Sequence, residues 1–282
     1  MVSSLVVGLA RIRVTIGYAV TLLVVSTLMA RLEPDAADRV IQHASTNLHN
    51  LAHGRLGTLL ASAFVVDAGP PYLWLPGLVC LLALGELIWG GWRLIVLFGI
   101  GHVGATLVVA AGLVAAVGFD VVPVAVARDE DVGMSYGAAA VLGALTPVIP
   151  RRWQPVWMGW WLAASVVVVV VERDFTDVGH ALALTLGLMV SAGLRRDGFW
   201  SWPRAVLAVA AVSFGFLVIA NDSDVVRVAA QAGLVGASCG AALAFLSKWL
   251  LVQWNSSAEA SIQSERHDSG GSSRSSPGMS HS

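Results

Sequence analysis

Charge is scarce in this sequence. Only 12% of the 282 residues are charged, 56% are hydrophobic, and of the 17 basic residues only Lys248 is a lysine. Because a soluble domain carries about 25% charged residues, this composition excludes an ordinary soluble protein and favours one that lipid solvates. The net charge of −1 offers no basic surface, so no nucleic-acid partner is predicted. The excess of arginine over lysine suggests a bacterial source with a GC-rich genome.

The signatures of disulfides, metal sites and cofactor sites are missing as well. The two cysteines, Cys80 and Cys239, lie within apolar runs and are interpreted as small core residues. There is no CxxC pair, no phosphate-binding glycine loop and no HExxH motif, so neither a metal nor a cofactor is predicted. His49 and His53 share a helix face, but no carboxylate is in register with them, which favours a solvated surface over a metal site.

The sequence contains instead a series of long apolar runs. A helix needs about 20 apolar residues to cross the hydrocarbon core, and it satisfies its own backbone hydrogen bonds there. We therefore predict an all-α, polytopic membrane protein whose partners include the lipid bilayer. The predicted spans are residues 12–31, 72–90, 92–117, 133–149, 153–171, 178–194, 203–220 and 225–251.

The basic residues beside the spans predict their orientation. Arginines concentrate in the short loops on the side of the N-terminus, above all in the pairs Arg151-Arg152 and Arg195-Arg196. Because basic residues favour the cytoplasmic side, both termini are expected there, in a cell membrane. The first run is not followed by a small-residue cleavage site, so it is interpreted as an uncleaved span.

A long segment, residues 32–71, separates the first two spans on the opposite side. Within it, Asp38–Leu60 has the pattern of an amphipathic helix, and Leu56–Val66 is apolar but too short to span, which favours a re-entrant or interfacial segment. Near the other end of the second span, Glu86 is expected to pair with Arg93, seven residues later.

Two polar residues stand at the start of predicted spans that run in the same direction. Ser135 begins the fourth span and His180 begins the sixth, so they are expected at similar depth. A serine becomes a nucleophile when a base lies within about 3 Å, and small residues after both positions would let the two helices approach. The alternative interpretation is a helix-capping Ser135 and a His180 that bonds to a loop.

A third polar residue, His102, lies within the third span among Gly99, Gly101 and Gly104. Ionisable residues in membrane spans are costly and are therefore functional candidates. We considered two roles for His102: a hydrogen bond to a neighbouring helix, or a position facing a polar cavity.

These residues resemble motifs of the rhomboid family of intramembrane serine proteases. Gly133-x-Ser135 resembles the Gly-x-Ser nucleophile motif of the family, and His180 followed by Ala183 and Gly187 resembles its His-x-x-Gly-x-x-x-Gly pattern, with alanine for the first glycine. Two further elements support the resemblance, which covers about residues 10–195. Gly85-Glu86 with Gly90, Gly91 and Arg93 resembles the family's turn between spans two and three, and Arg55-Leu56 with Thr58 and Ser62-Ala63-Phe64 resembles its Arg-Leu-x-Thr-Ser-Ala-Phe element with a short insertion.

The resemblance, the apolar runs and the composition together predict three parts. Residues 1–195 would form a six-helix rhomboid-like core, residues 196–254 two additional transmembrane helices, and residues 255–282 a cytoplasmic tail. The tail is rich in serine and glycine and almost free of apolar residues, so it is expected to be disordered. The sequence does not indicate an oligomeric state.

The resemblance also implies a function, for which two interpretations stay open. In one, Ser135 and His180 form a catalytic dyad that cleaves transmembrane segments of other proteins, with Gly133 and His102 as candidate oxyanion or accessory residues. In the other, a non-catalytic relative binds membrane-protein clients. The family's second span usually carries a His and an Asn that hold the oxyanion, whereas residues 70–75 here contain neither, and Tyr136 stands where the family prefers a small residue.

Overall fold

The computed structural model describes residues 8–67, 69–194 and 201–271, and every regular element in these ranges is a helix. A helix satisfies its backbone polar groups within one segment, as a bilayer requires. The predicted all-α polytopic fold is confirmed. In chain order the α-helices are α1 (Arg13–Met29), α2 (Pro34–Ala44), α3 (Leu48–Ala52), α4 (Thr58–Ala61), α5 (Pro71–Trp89), α6 (Gly91–Gly118), α7 (Ser135–Ala144), α8 (Gln154–Glu172), α9 (Phe175–Ser191), α10 (Trp202–Ile219) and α11 (Ser223–Gly271). Short 3-10 turns occur at Ser62–Phe64, Val124–Arg128, Thr146–Val148 and Arg151–Trp153.

Each of the eight predicted spans coincides with one apolar helix, namely α1 and α5 to α11. Five of them, α5, α6, α8, α10 and α11, are long and apolar enough to cross a membrane, whereas α1, α7 and α9 are shorter apolar helices. Residues 30–70 and 119–134 lie together at one end of the bundle, here called the loop-rich end. Both α7 and α9 begin at this end.

The short helix α7 lies at the centre of the bundle. Its residues from Tyr136 to Ala144 are all buried, and it packs against α5, α6, α9 and α10. A Cβ atom on Gly101 of α6 would overlap Ala140, and a Cβ atom on Gly187 of α9 would overlap the Ala140 carbonyl group. Because protein rather than lipid surrounds α7, this helix does not need to match the thickness of the bilayer.

The last two helices pack on the outside of the six preceding apolar helices. α10 lies on α5, where a Cβ atom on Gly77 would clash with Phe214. α11 lies along α8, where the backbones of Gly159 and Gly236 are in contact. The predicted boundary between core and additional helices falls within residues 195–200, outside the described residues.

The segment 38–60 is not one amphipathic helix, and that prediction is wrong. Helices α2, α3 and α4 are separated by Ser45–Asn47 and His53–Gly57. Asn47 caps α3, because its side-chain oxygen accepts a 2.9 Å hydrogen bond from the N–H of Asn50. Gly54 adopts a φ of 73°, a left-handed conformation that favours glycine and ends a helix. The apolar periodicity of the segment did not show where its helices end, because Asn47 and Gly54 supply the end signals.

Glu86 also differs from the prediction, because its partner is the start of α1 and not Arg93. Its carboxylate accepts hydrogen bonds from the N–H of Val14 at 3.0 Å, the N–H of Thr15 at 2.8 Å and the hydroxyl of Thr15 at 2.8 Å. The first N–H groups of a helix have no partner within the helix, and its dipole favours a negative charge there. Glu86 therefore stabilises α1 from 71 residues away.

The C-terminal end of the chain differs from the predicted disorder as well. α11 continues to Gly271, so the backbone of residues 255–271 is helical, and residues 272–282 lie outside the described residues. A helix that is already nucleated extends at little cost through residues such as Ala258, Glu259 and Ala260, which favour helical structure. Low apolar content alone therefore did not predict where this helix ends.

Candidate active site

Ser135 is the first residue of α7, at the loop-rich end, and it is half-buried. Gly133, two residues earlier, has a φ of 122°, which side-chain-bearing residues rarely adopt. The N–H of Gly133 donates a 2.8 Å hydrogen bond to the carbonyl oxygen of Ser62. The turn that delivers Ser135 to the helix start is therefore fixed by the segment between the first two apolar helices.

The same segment holds the loop at a second point, Asp131. The N–H of Thr46 donates to the carbonyl oxygen of Asp131 at 3.0 Å, and the N–H of Asp131 donates to the hydroxyl oxygen of Ser45 at 2.8 Å. The Thr46 hydroxyl contacts the Asp131 carboxylate at 3.0 Å. Burial raises the pKa of Asp131, and the hydrogen bond from Thr46 acts in the opposite direction. Residues 45–62 thus hold the loop before Ser135 at Asp131 and at Gly133. These contacts are called the brace below.

His102 forms part of this brace. Its Nε2 atom lies 3.0 Å from the hydroxyl oxygen of Ser62, and both residues are buried. Its ring stacks against Phe98 with centroids 6.2 Å apart. Two roles were proposed for His102 above, and the structure shows the first: a hydrogen bond to a neighbouring element, here the turn at Ser62. The accessory role in oxyanion binding stays a prediction.

His180 lies in the second turn of α9 and is 4% exposed. Neither of its ring nitrogens has a hydrogen-bond partner within the described residues. The nearest charged atom is Oδ1 of Asp177, 3.7 Å from Nδ1. The ring of Tyr136 packs edge-on against the imidazole, with centroids 5.3 Å apart and an interplanar angle of 82°.

The structure brings the helices of Ser135 and His180 together, but it does not join the two side chains by a hydrogen bond. α7 and α9 are in backbone contact further along, where a Cβ atom on Gly143 would overlap the carbonyl oxygen of Leu184. At the level of His180, Tyr136 occupies the interface, and a Cβ atom on Gly179 would overlap its ring. Ser135 begins α7 and His180 lies in the second turn of α9, and both helices begin at the loop-rich end. The catalytic role of the pair stays a prediction.

Backbone N–H groups are available beside Ser135. The N–H groups in the first turn of a helix have no acceptor within the helix. In α7, the N–H of Ala138 donates a hydrogen bond of 3.0 Å to the carbonyl oxygen of Met134, which precedes the helix. Such donors can stabilise an oxyanion.

In the stretch where the family carries His and Asn, the indole N–H of Trp74 donates to the carbonyl oxygen of Gly69 at 3.3 Å, and Tyr72 is 75% exposed.

No described group of three or more His, Cys, Asp and Glu side chains could hold a metal ion. His49 and His53 stack with ring centroids 4.3 Å apart, and both are exposed. This geometry matches a helix face in contact with solvent, as the spacing of the two histidines suggested.

Sequence reasoning missed two contributors to this region. Asp177 had a visible signal, since it precedes His180 by three residues and therefore shares its helix face. Ser45 and Thr46 had none, because they reach Asp131 across about 85 residues of chain.

The comparisons with known proteins agree with this architecture. A family model described as rhomboid-like protein matches residues 11–197, which include the six apolar helices α1 and α5 to α9. No match to the chain is found among curated proteins or among solved structures.

Proposed function

The chain belongs to the rhomboid-like protein family, and on that basis we propose that it is an intramembrane serine endopeptidase that cleaves transmembrane segments of other membrane proteins. Ser135 is the nucleophile in this proposal and His180 is the general base. The reaction needs no metal or cofactor, because the residues named supply the nucleophile, the base and the oxyanion donors.

The observation that carries the proposal is the state of His180. It is a buried imidazole whose two ring nitrogens both lack a hydrogen-bond partner in the part of the chain that the structure describes. Leaving a buried polar group unpaired costs about 1–3 kcal/mol, so such groups are rare in folded proteins and require an explanation. A base that must accept a proton from a serine on the neighbouring helix supplies one.

The chemistry follows from the position of each group. His180 removes the proton of the Ser135 hydroxyl while its oxygen attacks the peptide carbonyl carbon. The resulting oxyanion is stabilised by the first-turn N–H groups of α7, whose direction the turn at Gly133 sets. His180 then protonates the leaving amine, and water hydrolyses the acyl-enzyme in a second cycle of the same steps.

The reaction requires Ser135 and His180 to approach to about 3 Å. In the resting structure, the Tyr136 ring packs against the imidazole. Catalytic hydrogen bonds are often long before substrate binds and shorten in the complex. Movement of Tyr136 as a substrate segment enters would allow this approach.

A second candidate function is supported by the same tyrosine. Tyr136 is 2% exposed and contacts His180 where the family prefers a small residue. If this ring keeps its place, the imidazole cannot serve Ser135. The protein would then be a non-catalytic relative that binds the transmembrane segments of client proteins.

A serine-reactive fluorophosphonate probe separates the two functions. The folded protein is expected to be labelled at Ser135, and Ser135→Ala and His180→Ala should abolish the labelling. Ser165→Ala is the matched control, since Ser165 is buried in α8 and its hydroxyl donates to the Trp161 carbonyl oxygen of its own helix. Absence of labelling in the folded protein, under conditions where a known rhomboid protease is labelled, would favour the client-binding function.

The proposal includes a location in the cell membrane with both termini in the cytoplasm. It is supported by the pair Arg151-Arg152, at the end of the bundle opposite the loop-rich end, and by the pair Arg195-Arg196 in the sequence. Reporter fusions after Arg152 and after Arg196 should read cytoplasmic, and a fusion after Asp131 should read external. An external reading at Arg152 would reverse the orientation.

A further inference from the structure

A carboxylate that no motif included lies beside the proposed base. Asp177 and His180 are three residues apart on α9, and Oδ1 of Asp177 is 3.7 Å from Nδ1 of His180. The two residues are 3% and 4% exposed. Oδ1 of Asp177, like both imidazole nitrogens, has no hydrogen-bond partner within the described residues.

This pairing is informative because burying an unpaired carboxylate is costly. A buried charge is normally paired or hydrogen-bonded, and a buried Asp whose Oδ1 has no donor departs from that rule. A group that can donate to it, Nδ1–H of His180, lies 3.7 Å away. An N–H···O hydrogen bond has a length of about 2.7–3.2 Å, so a small rotation of either side chain would form it.

Two other titratable groups face the imidazole from neighbouring elements: Tyr136 from α7 and Asp131 from the loop before α7. Glu172, at the end of α8, is exposed and interacts with Asp177. From α6, His102 is directed to Ser62. Among the described residues, Asp177 is the one acid within 4 Å of a His180 ring nitrogen.

We propose that Asp177 is a positioning residue that holds His180 as the Nδ1–H tautomer, with Nε2 unprotonated and available to the Ser135 hydroxyl. A hydrogen bond at one imidazole nitrogen determines which nitrogen carries the proton. The carboxylate also stabilises the imidazolium that forms when Ser135 loses its proton. The inference rests on the proposed function, because it assigns Asp177 to the base of that reaction.

The first test measures the rate of fluorophosphonate labelling of Ser135 between pH 5 and 9. Asp177→Asn keeps the shape of the side chain and removes its charge, and it should lower the maximal rate at least tenfold. It should also change the pH profile of labelling, because the substitution removes a charge beside the imidazole. Asp177→Glu restores the carboxylate and should recover much of the rate.

Asp174→Asn is the matched control. Asp174 precedes α9, and its side chain accepts a 3.1 Å hydrogen bond from the N–H of Thr176. Asparagine caps a helix as well as aspartate does, so this variant removes a nearby charge without affecting the cap. Labelling of Asp174→Asn should stay within twofold of the wild type. A wild-type rate and pH profile in Asp177→Asn would overturn the inference.

A second measurement does not depend on activity and is made on the wild-type protein, with a variant used only to assign the signal. In protein with ¹⁵N-labelled histidine, the ring-nitrogen shifts of His180, assigned with His180→Gln, report its tautomer. The expected result is a proton on Nδ1, and a proton on Nε2 of the neutral ring would overturn the inference. A protein that is not labelled at Ser135 but carries this proton on Nδ1 would refute the protease and retain the Asp177–His180 pair.

Discussion

Gly187→Ala is expected to separate the two helices that carry the candidate dyad. In the structure, a Cβ atom at this position would overlap the Ala140 carbonyl oxygen and lie 2.8 Å from the carbonyl carbon. Ordinary contacts of Cβ atoms begin at 3.4 Å, so α7 and α9 would have to move apart by at least 0.6 Å. The obstacle is backbone, which cannot rotate away as a flexible side chain can. Overpacking of this kind typically costs about 1–3 kcal/mol.

The control is Gly112→Ala in α6, where a Cβ atom would meet nothing within 4 Å. There, alanine should stabilise the helix by up to about 1 kcal/mol. The two variants should therefore differ by about 1–4 kcal/mol, which corresponds to a difference in Tm of at least about 2 °C. Thermal unfolding in detergent, followed by tryptophan fluorescence, measures this difference. Equal Tm values for the two variants would refute the close contact between α7 and α9. Labelling of Ser135 should also slow in Gly187→Ala, because a displacement of about 1 Å can cost roughly 100-fold in rate.

Three further predictions concern the polar contacts that hold the core together. Glu86→Gln should lower the free energy of unfolding by about 2 kcal/mol, because the charged acceptor at the start of α1 is lost. The test compares its Tm with that of Glu172→Gln, a control at an exposed helix end. Ser62→Ala should cost about 1–3 kcal/mol, because Nε2 of buried His102 loses its partner, and an unchanged Tm would contradict the brace. Burial raises the pKa of Asp131 in the folded protein above its ordinary value of 3.8. Protonated Asp131 therefore stabilises the fold fully below pH 3.8, and this stabilisation is lost as the pH rises through the raised pKa. Asp131→Asn should therefore lose less stability than the wild type between pH 3 and 7 in denaturation measured at each pH, and parallel curves would contradict the shift.

The apolar helices could be predicted because a bilayer constrains them strongly. A span must be long, apolar and helical, and each of these requirements is visible in a single sequence. The eight predicted runs therefore coincide with α1 and α5 to α11, and the largest difference is at the end of α11, which continues 20 residues beyond the last run. The segment between α1 and α5 lacks that constraint. Its helices end where Asn47 caps α3 and where Gly54 takes up a left-handed conformation, which apolar periodicity does not reveal.

The candidate site was predictable only to the level of helices. Ser135 and His180 could be placed at the same end because their spans run in the same direction and have clear starts. The relative orientation of their side chains depends on how Tyr136 and Gly179 pack, which is a tertiary effect. The error at Glu86 has the same origin. Arg93 is near in sequence, but the helix start at Thr15 offers three donors and lies closer in space.

The geometry at Ser135 therefore depends on residues outside the Gly-x-Ser motif. Gly133 takes its position from the Ser62 carbonyl group, Ser62 is held by His102, and Asp131 is held by Thr46. A serine at a helix start is a common feature, and it can act as a nucleophile only if its turn is rigid enough to present it to a base. In this protein that rigidity comes from the segment before α5, which lies outside the two helices of the dyad. Loss of the brace should consequently slow labelling of Ser135 even when Ser135, His180 and Asp177 are all present.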